Sequence, residues 1–260
     1  SAWGRVADYR IYQLSQLAHV ESYVASRLSA DDILNFGYEH VALGTGSLWR
    51  GDGVGRFNLN PIEIADGAPV FTPDDLMAGK IPHGKVVIYD DDHYYMGGVL
   101  AELLLSRGAS VMIVTPSSMI SDFSQLTLEQ RFIQKRLLEA GVQVKLTHGL
   151  GAIAPDHVKL ACIYTGKPAI LEMDAVVMVT ARLPKEQLGL ELKARRAEWK
   201  DHGVLSVTAI GDCLAPATIA HAVYSGHRFG RLLDEPEDND AVSFRREVTK
   251  LSADFPRVFR

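Results

Sequence analysis

The chain has 260 residues, of which 47% are hydrophobic and 23% are charged, the composition of an ordinary globular protein. Its net charge of −5 gives no electrostatic basis for binding nucleic acid or an anionic membrane surface. Its apolar runs are too short to span a bilayer, and no signal peptide opens the chain. We therefore expect a cytoplasmic protein with neither a nucleic-acid nor a membrane partner.

Cys162 and Cys213 are the chain's two cysteines, and they do not form a CxxC pair. Two thiols cannot ligate a four-iron cluster or build a disulfide framework. We expect both to pack as small hydrophobic residues in a reducing compartment. Any iron–sulfur centre would need ligands from another segment or a partner.

The first third of the chain predicts helices, a strand and a long connection. Apolar residues at helical spacing predict that the first thirty residues are helical. Ser29 is the predicted N-cap of a short helix that ends before Gly37. Residues 40–46 predict a strand that runs into a Gly-Thr-Gly turn. Residues 47–83 are rich in Gly, Pro, Asn and Asp, which is typical of a connection rather than a core element.

Residues 84–116 predict a strand–helix–strand unit, which favours a parallel sheet. A helix is predicted next over residues 126–140, opened by a capping box of Thr127 and Gln130. The final unit is a strand over residues 204–211 and a helix over 217–233. Further short strands are predicted at 142–147, 158–163 and 175–180.

The motif Gly211-Asp212 ends the last predicted strand and precedes a helix. A glycine there lets the backbone approach a ligand, and the carboxylate can accept hydrogen bonds from a ribityl hydroxyl. The amino end of the following helix would attract a pyrophosphate. By itself the motif is equally compatible with a plain turn.

Two further segments, 41–46 and 176–182, are strands that lead into short threonine-containing stretches. In flavoproteins with two dinucleotide domains, such segments mark where the chain crosses between the domains. The joint pattern predicts an α/β fold of two Rossmann-like nucleotide-binding domains of the FAD/NAD-linked reductase type, the first incomplete. The predicted cofactor-binding residues are Gly44, Thr45, Gly46, Gly211 and Asp212, with no catalytic residue and no metal ligand.

The predicted domain boundaries follow from these crossings. Residues 1–82 and 183–235 would form a partial FAD/ADP-type domain that lacks its first βαβ unit. Residues 83–182 would form an inserted NAD-type domain, and residues 236–260 a polar tail.

The loop over residues 90–98 departs from a dinucleotide-binding turn. GxGxxG should follow the first strand, and an acidic residue should end the second. Here Asp90, Asp91 and Asp92 follow the first strand, and no carboxylate ends the second. Because three carboxylates would repel a pyrophosphate, the sequence argues against nicotinamide binding. Acidic residues beside His93 also suit a divalent metal, but a solvated or helix-capping loop is the favoured interpretation.

Stretches across the chain resemble the C-terminal region of the trimethylamine dehydrogenase family, which includes dimethylamine and histamine dehydrogenases. The resemblance rests on residues 86–102, 111–116, 127–130 and 209–216, with shorter matches at Asp8-Tyr-Arg10, Leu28–Leu34 and Gly226-His-Arg228.

This resemblance implies a longer iron–sulfur flavoprotein of the NADH:flavin oxidoreductase type, with an N-terminal barrel that holds FMN and a cysteine segment that holds the cluster. It also implies FAD or ADP at the first nucleotide-binding domain, an electron-transferring flavoprotein as partner, and a homo-oligomer. Neither the barrel nor the cluster cysteines are present in this sequence. We therefore expect the isolated chain to be inactive toward amines.

Two alternatives remain open at this point. The first is a stand-alone module that docks an electron-transfer flavoprotein or another oxidoreductase through an exposed patch of Tyr94, Tyr95 and Met96. The competing expectation for these three side chains is that they pack under the following helix. The second alternative, a weaker one, is an NADPH-dependent flavin reductase.

Overall fold

The computed structural model describes residues 4–233, and these residues form seven α-helices and thirteen β-strands. Two compact units can be distinguished within this range. Residues 4–41 and 187–208 form the smaller unit, and residues 42–186 and 209–233 form the larger unit. The predicted polar tail, residues 236–260, lies outside the described residues.

The smaller unit is built mainly from helices. Its helices are α1 (Gly4–Ser15), α2 (Ala30–Phe36) and α6 (Gln187–Ala194), with a 3₁₀ segment over Arg196–His202. Helix α2 begins with a complete capping box at Ser29 and ends at Gly37, which adopts the left-handed conformation. This helix contacts both α6 and the 3₁₀ segment. Arg195 bridges Asp31 and Glu198.

Strand β1 (His40–Leu43) pairs with β13 (Ser206–Ala209) in a two-stranded sheet. The divisions between the two units fall inside these two strands, after residues 41 and 208.

The larger unit is organised around a five-stranded parallel sheet in the order β4-β11-β5-β6-β7. Its central strands β5 and β11 are buried on both faces, as expected for apolar runs covered on each side. The bounds are β4 (Val70–Phe71), β5 (Lys85–Asp90), β6 (Ser110–Val114), β7 (Gln143–Lys145) and β11 (Ala175–Val179).

Helices cover one face of this sheet. They are α3 (Pro73–Met77), α4 (Met96–Ser106) and α5 (Gln130–Glu139). Alternate residues of β5, such as Val86 and Ile88, pack into the core on this face together with Leu100 and Leu104 of α4. The other side chains of β5, Val87 and Tyr89, belong to a second core.

A four-stranded sheet in the order β10-β9-β8-β3 contributes to that second core. Its strands are β3 (Glu63–Ile64), β8 (His148–Ile153), β9 (His157–Cys162) and β10 (Pro168–Glu172). The larger unit also holds β2 (Ser47–Trp49), β12 (Arg182–Pro184) and α7 (Ile219–Leu232). Strands β2 and β12 pair antiparallel.

Most predicted elements are present, and three expectations are wrong. Residues 16–29 are not helical, and residues 47–83 contain three strands and a capped helix with buried Leu76. The capping box at Thr127 does not form, because α5 begins only at Gln130 and the Thr127 hydroxyl donates to Ser124 O instead. A 3₁₀ segment over Asp122–Gln125 lies directly before the predicted start of the helix.

Candidate functional site

All five predicted cofactor-binding residues lie in the larger unit. Gly44, Thr45 and Gly46 connect β1 to β2, and Gly211 and Asp212 follow β13. The two segments are neighbours in space, because the backbone N–H of Ile210 donates to Leu43 O at 2.9 Å, and the Cys213 thiol donates to the same oxygen at 2.8 Å.

Two of the three predicted glycines are required by backbone conformation. Gly46 has φ = 79° and Gly211 has φ = 63°, both in the left-handed region that favours glycine. The backbone N–H of Gly211 also donates to Ser225 Oγ on α7 at 3.0 Å, which fixes the turn against that helix. Gly44 is under no comparable constraint, since the nearest atom to a Cβ placed there would be 3.9 Å away.

The Asp212 carboxylate is already engaged by the protein. Its Oδ2 accepts from Ser47 Oγ at 2.9 Å and from Arg182 Nη1 at 2.7 Å, and its Oδ1 accepts from the Ala217 N–H at 3.2 Å. A ligand hydroxyl that binds this carboxylate must therefore share or replace one of these donors. Asp212 can therefore serve as the predicted acceptor only if one of its present donors shares the carboxylate or leaves it.

Arg182 is the residue of this site that sequence reasoning did not single out. Its guanidinium donates to Asp212 and, through Nη2, to Ala217 O at 2.9 Å, and it lies 5.1 Å from the centre of the Trp49 ring. It thus ties the segment after β11 to the turn before α7. Its position at the end of the second crossing segment, 176–182, was the one sequence feature that could have pointed to it.

Thr45 and the start of α7 complete the arrangement. The Thr45 hydroxyl donates to Lys185 O at 2.6 Å, and the Lys185 N–H donates to Gly46 O at 2.9 Å. Helix α7 has Thr218 at its N-cap position without a side-chain capping bond, and its first turn holds no acidic residue. Its amino end therefore keeps the partial positive charge that attracts anions.

The acidic loop after β5 is buried, so the expected solvated or helix-capping role is wrong. Asp90 and Asp91 are each 1% exposed and His93 is 8% exposed. Helix α4 has no side-chain cap at Tyr95 and no acidic residue in its first turn. The carboxylates instead bind backbone N–H groups of their own loop and of Phe57.

This loop lies at the edge of the sheet where a dinucleotide-binding domain holds its ligand. In open α/β sheets, ligands bind beyond the carboxyl ends of the strands where the strand order reverses. At that position, between β5 and β11, the N–H groups of Asp91 and Asp92 both donate to Val179 O, at 2.8 and 3.1 Å. The bond from Asp91 continues the parallel ladder between β5 and β11, so the acidic loop begins directly at the carboxyl end of β5.

Burial raises the pKa of two carboxyl groups of this loop. Burial raises the pKa of the Asp90 carboxyl group to about 6, against the opposing effects of the His93 backbone N–H and imidazole. Burial also raises the pKa of Asp92, although Arg182 and Arg56 oppose that shift. No group of three potential metal ligands occurs among residues 4–233, so the structure offers no support for the metal alternative.

The aromatic residues of the loop are half-buried. Tyr95 and Met96 pack against the core beneath α4, and the Tyr95 hydroxyl contacts Thr127 and Glu129. The Tyr94 ring lies 5.2 Å from that of Phe123. These positions match the packing expectation, and they give no exposed aromatic patch for a docking partner.

Comparison with known proteins defines first the class of the chain. Residues 71–170 match the family model described as "OYE-like second alpha/beta domain". Within the described residues, no helix is both long and apolar enough to cross a membrane.

Two relatives then define the family. The chain is 31% identical to dimethylamine dehydrogenase from Hyphomicrobium sp. (strain x), over 94% of this chain and 37% of the relative. It is 50% identical to the structure of histamine dehydrogenase from Rhizobium sp. 4-9, with a TM-score of 0.91, over 96% of this chain and 39% of that one. The chain is thus homologous to part of the amine dehydrogenases of the trimethylamine dehydrogenase family.

A third relative has a sequence identity between those of the first two. The structure of 6-hydroxypseudooxynicotine amine oxidase from Pseudomonas geniculata N1 is 38% identical, with a TM-score of 0.81, over 88% of this chain and 34% of that chain. The chain therefore spans between a third and two fifths of the length of these relatives. Such partial coverage is consistent with the C-terminal region that the sequence predicts.

Proposed function

We propose that this chain is the C-terminal, nucleotide-binding-like region of an amine dehydrogenase-like FMN and iron–sulfur oxidoreductase, with no complete catalytic site of its own. The observation that carries the proposal is the similarity to histamine dehydrogenase, which extends over 96% of this chain at 50% identity but over only 39% of that chain. FMN and the cluster belong, in this proposal, to a preceding barrel and cysteine segment that the given sequence does not include.

The domain assignment is part of the same proposal. Residues 1–82 and 183–235 would be an incomplete FAD/ADP-type Rossmann-like domain, and residues 83–182 an inserted NAD-type domain. The parallel order of β11, β5, β6 and β7 supports the inserted domain. The exposed apolar side chains of α7, including Ile219, Val223 and Tyr224, support a domain that is incomplete in this chain.

The residues around Gly211 fit one side of an adenine nucleotide, either FAD or ADP. The uncapped amino end of α7 supplies partial positive charge for phosphate, the Arg182 guanidinium beside it can donate to phosphate while it is paired with Asp212, and Gly46 and Gly211 make the tight turns that such a site needs. Asp212 holds Arg182 in place while it accepts from Ser47 and Ala217. In our proposal, Gly44 to Gly46 and Gly211-Asp212 line this half-site, and another segment supplies the remainder.

The inserted domain, in contrast, does not fit nicotinamide dinucleotides. Asp90 and Asp91 are buried at the position where a pyrophosphate would bind, and their carboxylates would repel it. This observation argues against the NADPH reductase alternative. The docking alternative has no specific support, because Tyr94, Tyr95 and Met96 are half-buried. We retain an electron-transferring flavoprotein as the proposed electron acceptor of the longer enzyme.

Amine turnover tests the main proposal. The purified chain is incubated with dimethylamine or histamine and an artificial electron acceptor, and histamine dehydrogenase serves as the positive control for the assay. We expect no turnover by this chain. Turnover above the protein-free background would show a complete catalytic site on the chain and would refute the proposal.

Calorimetric titration with ADP and NADPH tests the nucleotide half-site. We expect ADP to bind the isolated chain weakly, with a Kd above about 0.1 mM, because only part of the binding surface is present. Arg182→Gln should weaken that binding further, whereas Arg136→Gln, on an exposed ion pair elsewhere, should leave it unchanged. Micromolar NADPH binding would contradict the assignment of the inserted domain.

A further inference from the structure

Asp90 carries a buried carboxylate oxygen with no donor. It is the last residue of β5, and its Oδ1 accepts from the N–H groups of Asp92 at 3.2 Å and His93 at 3.0 Å. Among the described residues, its Oδ2 has no hydrogen-bond partner, and it lies against the first turn of α4, where a Cβ on Gly97 would approach it to 2.6 Å. An ionised carboxylate is unfavourable there, because water and donors are both excluded.

The neighbouring groups add negative charge rather than removing it. Asp91 Oδ1 also lacks a hydrogen bond among the described residues, and it lies 3.3 Å from His93 Nε2. Asp92 follows Asp91 on the same loop, and the buried Tyr89 precedes Asp90 on β5. The cations that face this loop, Arg56 from the segment before β3 and Arg182 from the segment after β11, act on Asp92. These two guanidinium groups face Asp92, which leaves Asp90 and Asp91 with the His93 imidazole, and the neutral form of Asp90 relieves the repulsion between the carboxylates.

The same loop is bonded to β11 of the sheet and to two separate segments outside it. Asp91 Oδ2 accepts the N–H of Phe57 at 2.9 Å, and His93 O accepts the N–H of Phe123 at 3.0 Å. The His93 ring also packs edge-on against the Phe123 ring, at 5.4 Å between centres. The N–H of Asp92 donates to Val179 O at the end of β11. Whatever changes the charge of this loop acts on all three attachments.

We propose that this loop is a pH-sensitive attachment: while Asp90 carries a proton, the segments around Phe57 and Phe123 stay bonded to the sheet through the loop, and loss of the proton loosens them. The device rests on the buried, unpaired Asp90 oxygen and on the bonds from Asp91 and His93 to those two segments.

The direction of the effect follows from linkage. The pKa of Asp90 is about 6 in the closed loop and 3.8 for the ordinary group, so the closed loop binds the proton more tightly than a solvated loop. Opening is thus least favourable below about pH 4 and becomes more favourable as the pH rises to 6 and above. The opening equilibrium constant changes by at most roughly 100-fold across this range, tenfold for each unit between the two pKa values.

The first measurement is a ¹³C NMR titration of the Asp90 side-chain carboxyl carbon in the unaltered protein, assigned by comparison with Asp90→Asn. We expect a midpoint between about pH 5.5 and 6.5. A midpoint near pH 4 would overturn the proposal, because the closed loop would then have no special affinity for the proton.

The second measurement is hydrogen exchange of the Phe57 and Phe123 amides from pH 4.5 to 7.5, corrected for the intrinsic rate of exchange. We expect protection in the unaltered protein to fall at least tenfold over this range, and protection in Asp90→Asn to be independent of pH. Asp156→Asn, at an exposed carboxylate paired with His157, should behave like the unaltered protein. Constant protection in the unaltered protein, or an unchanged pH dependence in Asp90→Asn, would refute the proposed pH-sensitive attachment. If Asp90→Asn does not fold, the unaltered protein provides the test: falling protection supports the proposal and constant protection refutes it.

Discussion

Two turns of the larger unit place an aspartate between a strand and a helix, and the two carboxylates have opposite surroundings. Asp90, between β5 and α4, is 1% exposed and leaves one oxygen without a donor among the described residues. Asp212, between β13 and α7, is half-buried and accepts from a serine hydroxyl, a guanidinium and a backbone N–H. The same residue type in a similar topological position is therefore buried with an unpaired oxygen in one turn and fully paired in the other.

The two turns also differ in what lies at the amino end of the helix that follows. At α7 the amino end is uncapped, and Arg182 lies beside it. At α4 the buried Asp90 carboxylate lies against Gly97 in the first turn of the helix. Four substitutions, taken from the largest expected effect to the smallest, test the comparison.

Asp90→Asn should change the pH dependence of global stability more than any other single replacement at these turns. Since its pKa is raised in the folded chain, Asp90 stabilises the fold below about pH 4 and loses that contribution as the pH rises to 6, by at most about 3 kcal/mol. Urea unfolding at pH 5 and pH 7 should show a smaller difference in Asp90→Asn than in the unaltered protein. Asp212→Asn should leave that difference as it is; an equal effect of both replacements would remove the contrast.

Gly97→Ala should destabilise the protein by about 1–3 kcal/mol, because the added Cβ would meet the buried Asp90 carboxylate at 2.6 Å. Gly230→Ala in α7 is the matched control, since nothing lies within 4 Å of a Cβ there. It should stabilise by about 0.5–1 kcal/mol through the helix preference of alanine. Thermal and urea unfolding measure both. A stabilised Gly97→Ala variant would mean that the loop readily moves away from α4.

Arg182→Ala should cost about 1–2 kcal/mol, between the values for exposed and fully buried ion pairs, because both partners are about one-fifth exposed. It should also change the fluorescence of Trp49, whose ring the guanidinium covers. Arg136→Ala removes an exposed ion pair with Glu102 and should cost less than about 0.5 kcal/mol. If both variants lost the same free energy of unfolding in urea, the Arg182–Asp212 pair would stabilise the fold no more than an exposed ion pair does.

Ser225→Ala should have the smallest effect, a loss of about 0.5–1 kcal/mol, because it removes the acceptor of the Gly211 N–H in a half-buried turn. The control is Ser106→Ala, whose exposed hydroxyl donates to Leu103 O and should contribute almost nothing. Amide exchange at Gly211 should accelerate only in Ser225→Ala. Unchanged exchange there would show that β13, rather than α7, holds the turn.

Local patterns in the sequence predicted much of the fold. The run of Val86, Val87 and Ile88 predicted a doubly buried strand, and Ser29 with Gly37 predicted both ends of α2. These features depend on neighbours within a few residues, so the sequence contains the information. The capping box at Thr127 failed because the threonine hydroxyl makes a competing local bond to Ser124 O, in the 3₁₀ segment that precedes it.

The sequence by itself determined that Asp90 to Asp92 replace a glycine-rich turn and that Gly211-Asp212 ends a strand before a helix. Only the tertiary structure decided that Asp90 and Asp91 are buried and that Arg182 reaches Asp212. Burial at residue 90 depends on Gly97, Phe57 and Val179, which come from three other parts of the chain. The charge state and the partners of a carboxylate are set by such distant neighbours, and no short-range pattern contains them.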